Sequence, residues 1–316
     1  MRRLAVSLIL PALAAACVAP SKPAPEPARS SVVQPLAVSE PEPAPAAHPV
    51  PAPAPAVPPA PVGPSTFLYS GELTQGGWLR GQVPAGTVSA RLDDQALALD
   101  QGGHFFAAFD RDAAPSATLI AMLRDGRTIE SPLSVSPRAW QIENVNASPT
   151  ANVPSAEFMA RRRPELERIG AARGVDTGSE GWRQAFVWPA KGRISGRFGS
   201  QRVYRGEPGS YHSGIDIAGG AGTAYVAPAD GVVVLAAQAP FTLEGNLLII
   251  DHGMGLNSAF LHSAELLVHE GEWVKQGQVL GRIGMTGRAT GPHLHWSLMW
   301  RGRRLDPLLF TGPMQP

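Results

Sequence analysis

Half of the prolines in this chain sit in one segment. Sixteen of 32 lie between Pro20 and Pro64, many alternating with alanine, as in PAPAPAV at 51–57. Proline lacks an amide donor and locks φ, so such a segment can neither continue a helix nor hold a place inside a sheet. The composition predicts a semi-extended spacer, with a reach on the order of 100 Å at roughly 3 Å per residue if it is stiff. Folding is left to the rest of the 316 residues, enough for about two domains at roughly 100–200 residues each. Apolar residues make up 44%, which permits packed cores. A net charge of +1 with 17% charged residues gives no general affinity for nucleic acid or anionic surfaces.

The chain opens as an export signal. Arg2 and Arg3 precede an apolar stretch, Leu4–Ala16, too short to span a bilayer and suited to a signal h-region. Residues 1–16 are therefore read as a signal peptide. The stretch ends Leu13-Ala14-Ala15-Ala16-Cys17, and Cys17 is the one cysteine of the chain, so no internal disulfide exists. The context of Cys17 resembles the lipobox of bacterial lipoproteins, although Ala14 stands where leucine is usual. That resemblance implies a lipidated Cys17 and, with Val18 next, an outer-membrane anchor facing the periplasm. Residues 17–65 are then the lipidated cysteine and its linker.

Residues 66–137 hold short, partly alternating apolar runs punctuated by Gly76-Gly77, Asp93-Asp94, Gly102-Gly103 and Asp125-Gly126. This predicts a small β-sandwich-like domain. Its one histidine, His104, reads as a strand-end surface residue. Residues 138–185 read as a helical connector. Ser155–Ala172 carries helix formers, and Pro164 predicts a break or two short helices. Its arginines read as a solvated face, with weak contact to an anionic polymer as the sharper alternative.

The chemistry lies in 186–316. Six of eight histidines fall here, among short apolar strands bounded by glycine. These runs predict an antiparallel β-sheet assembly, so the whole chain reads as mainly β. In GPHLHWSL (291–298), His293 and His295 stand at i and i+2, which on a strand share a face. In YHSGIDI, His212 and Asp216 offer an imidazole and a carboxylate from a loop entering a strand. Two imidazoles and a carboxylate make the three-ligand pattern of a catalytic zinc with one open position. No HExxH and no GxSxG occurs, which removes the helical zinc-protease and serine-elbow readings. His252, His269, Asp230 and Asp251 read as structural or turn residues.

The segments RISGRFGSQ (193–201), HSGIDI (212–217), GTAYVAPADGVVV (222–234), NLLIIDHGMG (246–255), FLH (260–262), GEWVKQGQVLGRIGMTGRATGPHLHWSL (271–298) and LDPLLF (305–310) together resemble the M23 family of zinc endopeptidases, the LytM or lysostaphin type. The resemblance covers about 40% of the chain. It implies that His212, Asp216 and His295 bind Zn2+, and that His262 and His293 are catalytic. It implies hydrolysis of peptidoglycan stem or cross-link peptides through a zinc-bound water. Phe260 and Ser263 depart from the tyrosine and leucine usual around His262.

Two other readings stand beside it. The family has degenerate members that act as regulatory modules and activate cell-wall amidases, with a protein partner. A lipoyl- or biotin-type carrier is suggested by EGEWVKQGQVLGRIG, but it needs a modified lysine at a hairpin tip, and Lys275 reads as lying within a strand. An asparagine such as Asn144 or Asn146 is a candidate for covering the open metal position.

Overall fold

In this computed structural model, the described residues are 62–147, 155–237 and 239–314. The signal peptide, Cys17 and almost all of the spacer lie outside them. Among the described residues the fold is mainly β, in largely antiparallel sheets, with one α-helix.

Seven strands build the first part: β1 (Leu68–Gly71), β2 (Trp78–Gln82), β3 (Thr87–Leu92), β4 (Gln95–Ala96), β5 (His104–Ala108), β6 (Ser116–Leu123) and β7 (Thr128–Ser134). They form two sheets, ordered β1-β2-β5 and β4-β3-β6-β7. Strand β6 alternates as the pleat requires, with Ala117, Leu119, Ala121 and Leu123 buried and the residues between them more open. Strand β5 does not alternate. Phe105 to Ala108 are all buried, because the strand is covered on both faces. Phe105 meets Phe67 edge-on at 6.0 Å, whereas Phe106 faces Trp78, Trp300 and Phe310.

Two findings concern the connector. Strand β8 (Ile142–Val145) forms within it and pairs in parallel with β10 (Gln201–Tyr204), which also pairs with β11 (Glu207–Tyr211). Helix α1 (Ala156–Arg173) runs unbroken through Pro164, capped at its start by the Ser155 hydroxyl. The expected break does not occur. Pro164 and Ala160, whose carbonyl loses its donor, both lie on the exposed side, where water can satisfy that carbonyl. The opposite side is held by tertiary packing, with Ile169 and Ala172 against Leu235, Leu247, Ile249 and Ala259.

The remaining strands are β9 (Arg193–Gly196), β12 (Ile215–Ala218), β13 (Ala224–Val226), β14 (Gly231–Ala236), β15 (Asn246–Asp251), β16 (Leu256–Ser263), β17 (Glu265–Leu266), β18 (Trp273–Val274), β19 (Val279–Arg282), β20 (Leu294–Trp300) and β21 (Arg303–Leu305). Eight make one sheet ordered β18-β14-β15-β16-β20-β12-β9, with β21 on β20. A smaller sheet, β13-β19-β17, contributes Tyr225 and Leu280 to the core shared with Phe260 and Trp296, and Ile283, just past β19, joins them. Strands β15, β16 and β20 are buried on both faces, which accounts for their nearly continuous apolar sequences. Helix α1 covers part of one face. Beside it, His212, His262, His293 and His295 gather around a cleft. Lys275 lies just past β18 rather than within a strand, with its ammonium 2.9 Å from Asp230. Asp251 ends β15, fully buried, and accepts from Thr177, Gly253 and Asn257.

Candidate metal centre

Pairing register places the first two groups. Asp216 on β12 lies directly opposite His295 on β20, and opposed residues of an antiparallel pair share a face. His212 reaches the same point from the loop before β12, and His293 precedes β20 by one residue. Ligand atoms of His212, Asp216 and His295 all lie within 4.8 Å of one another. Asp216 Oδ1 stands 3.1 Å from His212 Nε2, 2.9 Å from His295 Nδ1 and 3.6 Å from His293 Nε2.

His262 needs a backbone irregularity to join them. Leu261 is paired with His295 and takes that face, so simple alternation would turn His262 the other way. A bulge in the β15–β16 pairing and a φ of +64° at His262 reverse this. Bulges of this kind re-aim side chains beside functional sites. The His262 ring then lies 5.0 Å from that of His293 and 6.4 Å from that of His295. Tyr225 Oη, 2.7 Å from Ser263 Oγ, gives the unusual serine a buried partner, and Phe260 stacks on Tyr225.

Backbone carbonyls fix which imidazole nitrogen faces inward. His212 Nδ1 lies 3.2 Å from the Arg197 carbonyl, His262 Nδ1 2.8 Å from that of Thr286, and His293 Nδ1 2.8 Å from that of Gly291. Each carbonyl accepts an N–H, which assigns the tautomer and leaves Nε2 as the free lone pair. For His212 that lone pair points at a carboxylate oxygen. Two acceptors so placed repel unless a proton or a cation lies between them. A nitrogen, nitrogen and oxygen donor set of this kind fits Zn2+. Two glycines keep the cluster tight. A Cβ at Gly196 would lie 2.3 Å from Asp216 Oδ2, and one at Gly214 would lie 2.9 Å from His295 Nε2.

Ionisation follows the same arrangement. Burial would raise the Asp216 carboxyl, but hydrogen bonds from His212 and His295 outweigh it and hold the group far below the usual carboxylate range. Burial opposes the charge on His212, yet Asp216 and the Arg197 carbonyl carry its pKa upward. At His295 burial prevails against Asp216 and the pKa falls. Burial also lowers His262, assisted by the nearby His293 and opposed by the Thr286 carbonyl.

A cleft of about 350 Å³ opens onto the five groups, with Leu243, Glu244, Arg288 and Thr290 around it. No asparagine lines it among the described residues, and the Asn146 side chain instead accepts from Arg205. A larger cleft, about 430 Å³, lies between β1, β2 and Trp182–Arg183 and contributes a single imidazole, His104, which is paired with Asp100. Of the remaining histidines, His252 is buried between the Asp230 carbonyl and the Ser258 hydroxyl, and His269 is exposed beside Glu272. Sequence reasoning missed Glu244, whose backbone carbonyl accepts from His262 N–H and whose carboxylate is bound by Arg162.

The family model for peptidase family M23 matches residues 210–307, the stretch that carries all five groups. Among its relatives, the chain is 38% identical to the peptidoglycan DD-endopeptidase ShyA of Vibrio cholerae over 135 residues, which is 42% of this chain and 30% of that protein. It is 34% identical to the murein hydrolase activator NlpD of Escherichia coli over 165 residues, 52% of this chain and 40% of that one. It is 38% identical to the Pseudomonas aeruginosa lipoprotein NlpD/LppB homolog over 130 residues, 41% of this chain and 39% of that one. The chain thus spans less than half the length of these relatives. A crystal structure of a Pseudomonas aeruginosa protein assigned to peptidase M23 matches with a TM-score of 0.59 and 26% identity, covering 77% of this chain and 96% of that one.

Proposed function

We propose that the chain is a zinc-dependent endopeptidase that cuts peptide bonds in peptidoglycan stem or cross-link peptides. One observation carries this reading: the His212, Asp216 and His295 donors meet on one face with the free Nε2 atoms of His262 and His293 beside them. His212 Nε2, Asp216 Oδ1 and His295 Nδ1 would hold the ion. When bound, Zn2+ supplies Lewis-acid polarisation of a carbonyl and acidifies water.

The chain's own groups supply the rest. Asp216, kept ionised, offsets the metal charge. His262, kept neutral by burial, presents Nε2 to accept a proton from the attacking water. His293 Nε2 faces the same space and, once protonated, is placed to donate to the developing oxyanion or to the leaving amine. The likeness to the peptidoglycan DD-endopeptidase ShyA supports this substrate class.

The export signal, Cys17 and the proline-rich spacer fit a lipid-anchored periplasmic protein whose body reaches the wall from the outer membrane. The likeness to a lipoprotein homolog supports that placement. A second reading rests on the NlpD relatives, which are activators. In it, the same cleft serves a regulatory role toward a cell-wall hydrolase.

Digestion of purified sacculi tests the choice. The hydrolase reading expects newly uncrosslinked muropeptides, lost with chelator and in His293→Ala. If sacculi stay intact alone while an added amidase works faster, the activator reading replaces it.

A further inference from the structure

Helix α1 closes a second cavity next to the metal centre. Its volume is about 190 Å³, and Ser213, Glu244, Leu261 and His295 line both it and the active cleft. Three guanidinium groups reach it, from Arg162, Arg173 and Arg304. They are not alike. Arg162 is ion-paired with Glu165 at 2.9 Å and with Glu244 at 2.6 Å. Arg304 lies over the Tyr211 ring. Arg173, at the end of α1, has no such partner. Its Nε is buried with no hydrogen-bond acceptor, and its other polar contact is the Met299 sulfur. Among the described residues no carboxylate is ion-paired with it. Burial, with Arg304 nearby and only partly offset by Glu244, pulls Arg173 down to about 10, so it stays charged at neutral pH. A largely desolvated charge with no ion-pair partner is costly to keep, and a cavity lined by such a group suits an anion. Leucines from α1 and the sheet give the remaining wall an apolar character suited to a small side chain.

We propose that this cavity is a carboxylate subsite, in which Arg173 receives the carboxylate of a small apolar amino acid at one end of the peptide held in the cleft. The proposal rests on the peptide-hydrolase reading for its ligand and on the cavity alone for its chemistry. A guanidinium fork suits a planar carboxylate because two parallel N–H donors meet two oxygens. It separates acid from amide, because the amide brings no charge to the buried cation. The arginine-rich stretch of α1 therefore divides: Arg161 faces Glu157 on the surface, whereas Arg162 and Arg173 turn inward.

The test uses the full chain and three probes: N-acetyl-D-alanine, its amide and inorganic phosphate. The arginine Nε–H resonances are followed by NMR, with Arg173→Met to assign the signal and Arg173→Lys as a variant that retains the cation. The expected result is a saturable shift of the Arg173 Nε–H with the acid, weaker by roughly ten-fold or more with the amide and in Arg173→Lys, the loss of one charge-assisted hydrogen bond. Equal binding of acid and amide, tighter binding of phosphate, or an unmoved Arg173 signal would overturn it. If Arg173→Met does not fold, the acid-to-amide ratio in the unaltered chain decides. A chain that binds the acid this way yet leaves sacculi uncut contradicts the hydrolase reading alone. One that cuts them without telling acid from amide contradicts only the subsite.

Discussion

At His262 a left-handed backbone conformation decides where an imidazole points. Non-glycine residues adopt it at a cost of about 1–2 kcal/mol, and here the bulge, the Thr286 carbonyl and the Glu244 carbonyl hold it in place. His262→Ala should lower cross-link cleavage by about 10²–10⁴-fold with zinc content unchanged, as kinetics and metal analysis on one preparation would record. Gly196→Ala should do the reverse in origin: a Cβ 2.3 Å from Asp216 Oδ2 displaces a ligand, so metal uptake falls first. His252 gives a pH effect apart from the centre. Burial lowers its pKa to about 4, so the unfolded chain binds more protons between there and about 6.5. Its contribution is complete above about pH 6.5 and is lost as the pH falls toward 4, at most roughly 3 kcal/mol. Urea midpoints for the parent and His252→Gln should converge as the pH drops through that window; parallel curves would contradict it. Four side chains of the site were legible from the HxxxD and HxH spacings, and His262 only from the resemblance of FLH to the family's segment. The carbonyls of Arg197, Thr286 and Gly291 were not, because a backbone acceptor has no residue signature.

Helix α1 and strand β8 show where element-level reading stops. A proline within a helical run signals a break locally, but the signal says nothing of which side faces water. Pro164 happens to lie outward, and packing on the inner side wins. Strand β8 has few apolar residues and pairs with a segment far along the chain, so no local pattern marks it. What ties α1 to the rim of the cleft is the Arg162–Glu244 pair, bidentate at 2.6 Å for each bond and mostly buried. Removing one partner of such a pair leaves the other buried and alone. Arg162→Ala should therefore destabilise the fold by about 3 kcal/mol, while Arg162→Met combined with Glu244→Leu should recover most of the loss. Denaturant titrations of the singles and the double measure the coupling. Glu165 keeps its hydrogen bonds from Thr242 in either case.

Across the whole molecule, the two β parts share a core. Phe106 packs on Trp300 and Phe310, Trp78 Nε1–H donates to the Leu309 carbonyl at 2.8 Å, and Arg303 donates to the Ala108 carbonyl at 2.9 Å. Residues Pro58–Pro316 form one compact unit. Composition separated a sandwich from a histidine-bearing sheet, yet it could not show that β5 is covered on both faces, because a doubly buried strand reads only as an apolar run. Phe106→Ala should cost about 3–5 kcal/mol and lower a single unfolding transition. Two separated transitions by calorimetry would contradict the shared core. The central claim is that His212, Asp216 and His295 together hold one catalytic ion. Metal analysis of the purified chain and of folded His295→Ala tests it most directly. One zinc per chain, lost in the variant, is the expected result. A chain without zinc after zinc exposure, or a variant that keeps its full complement, would contradict it.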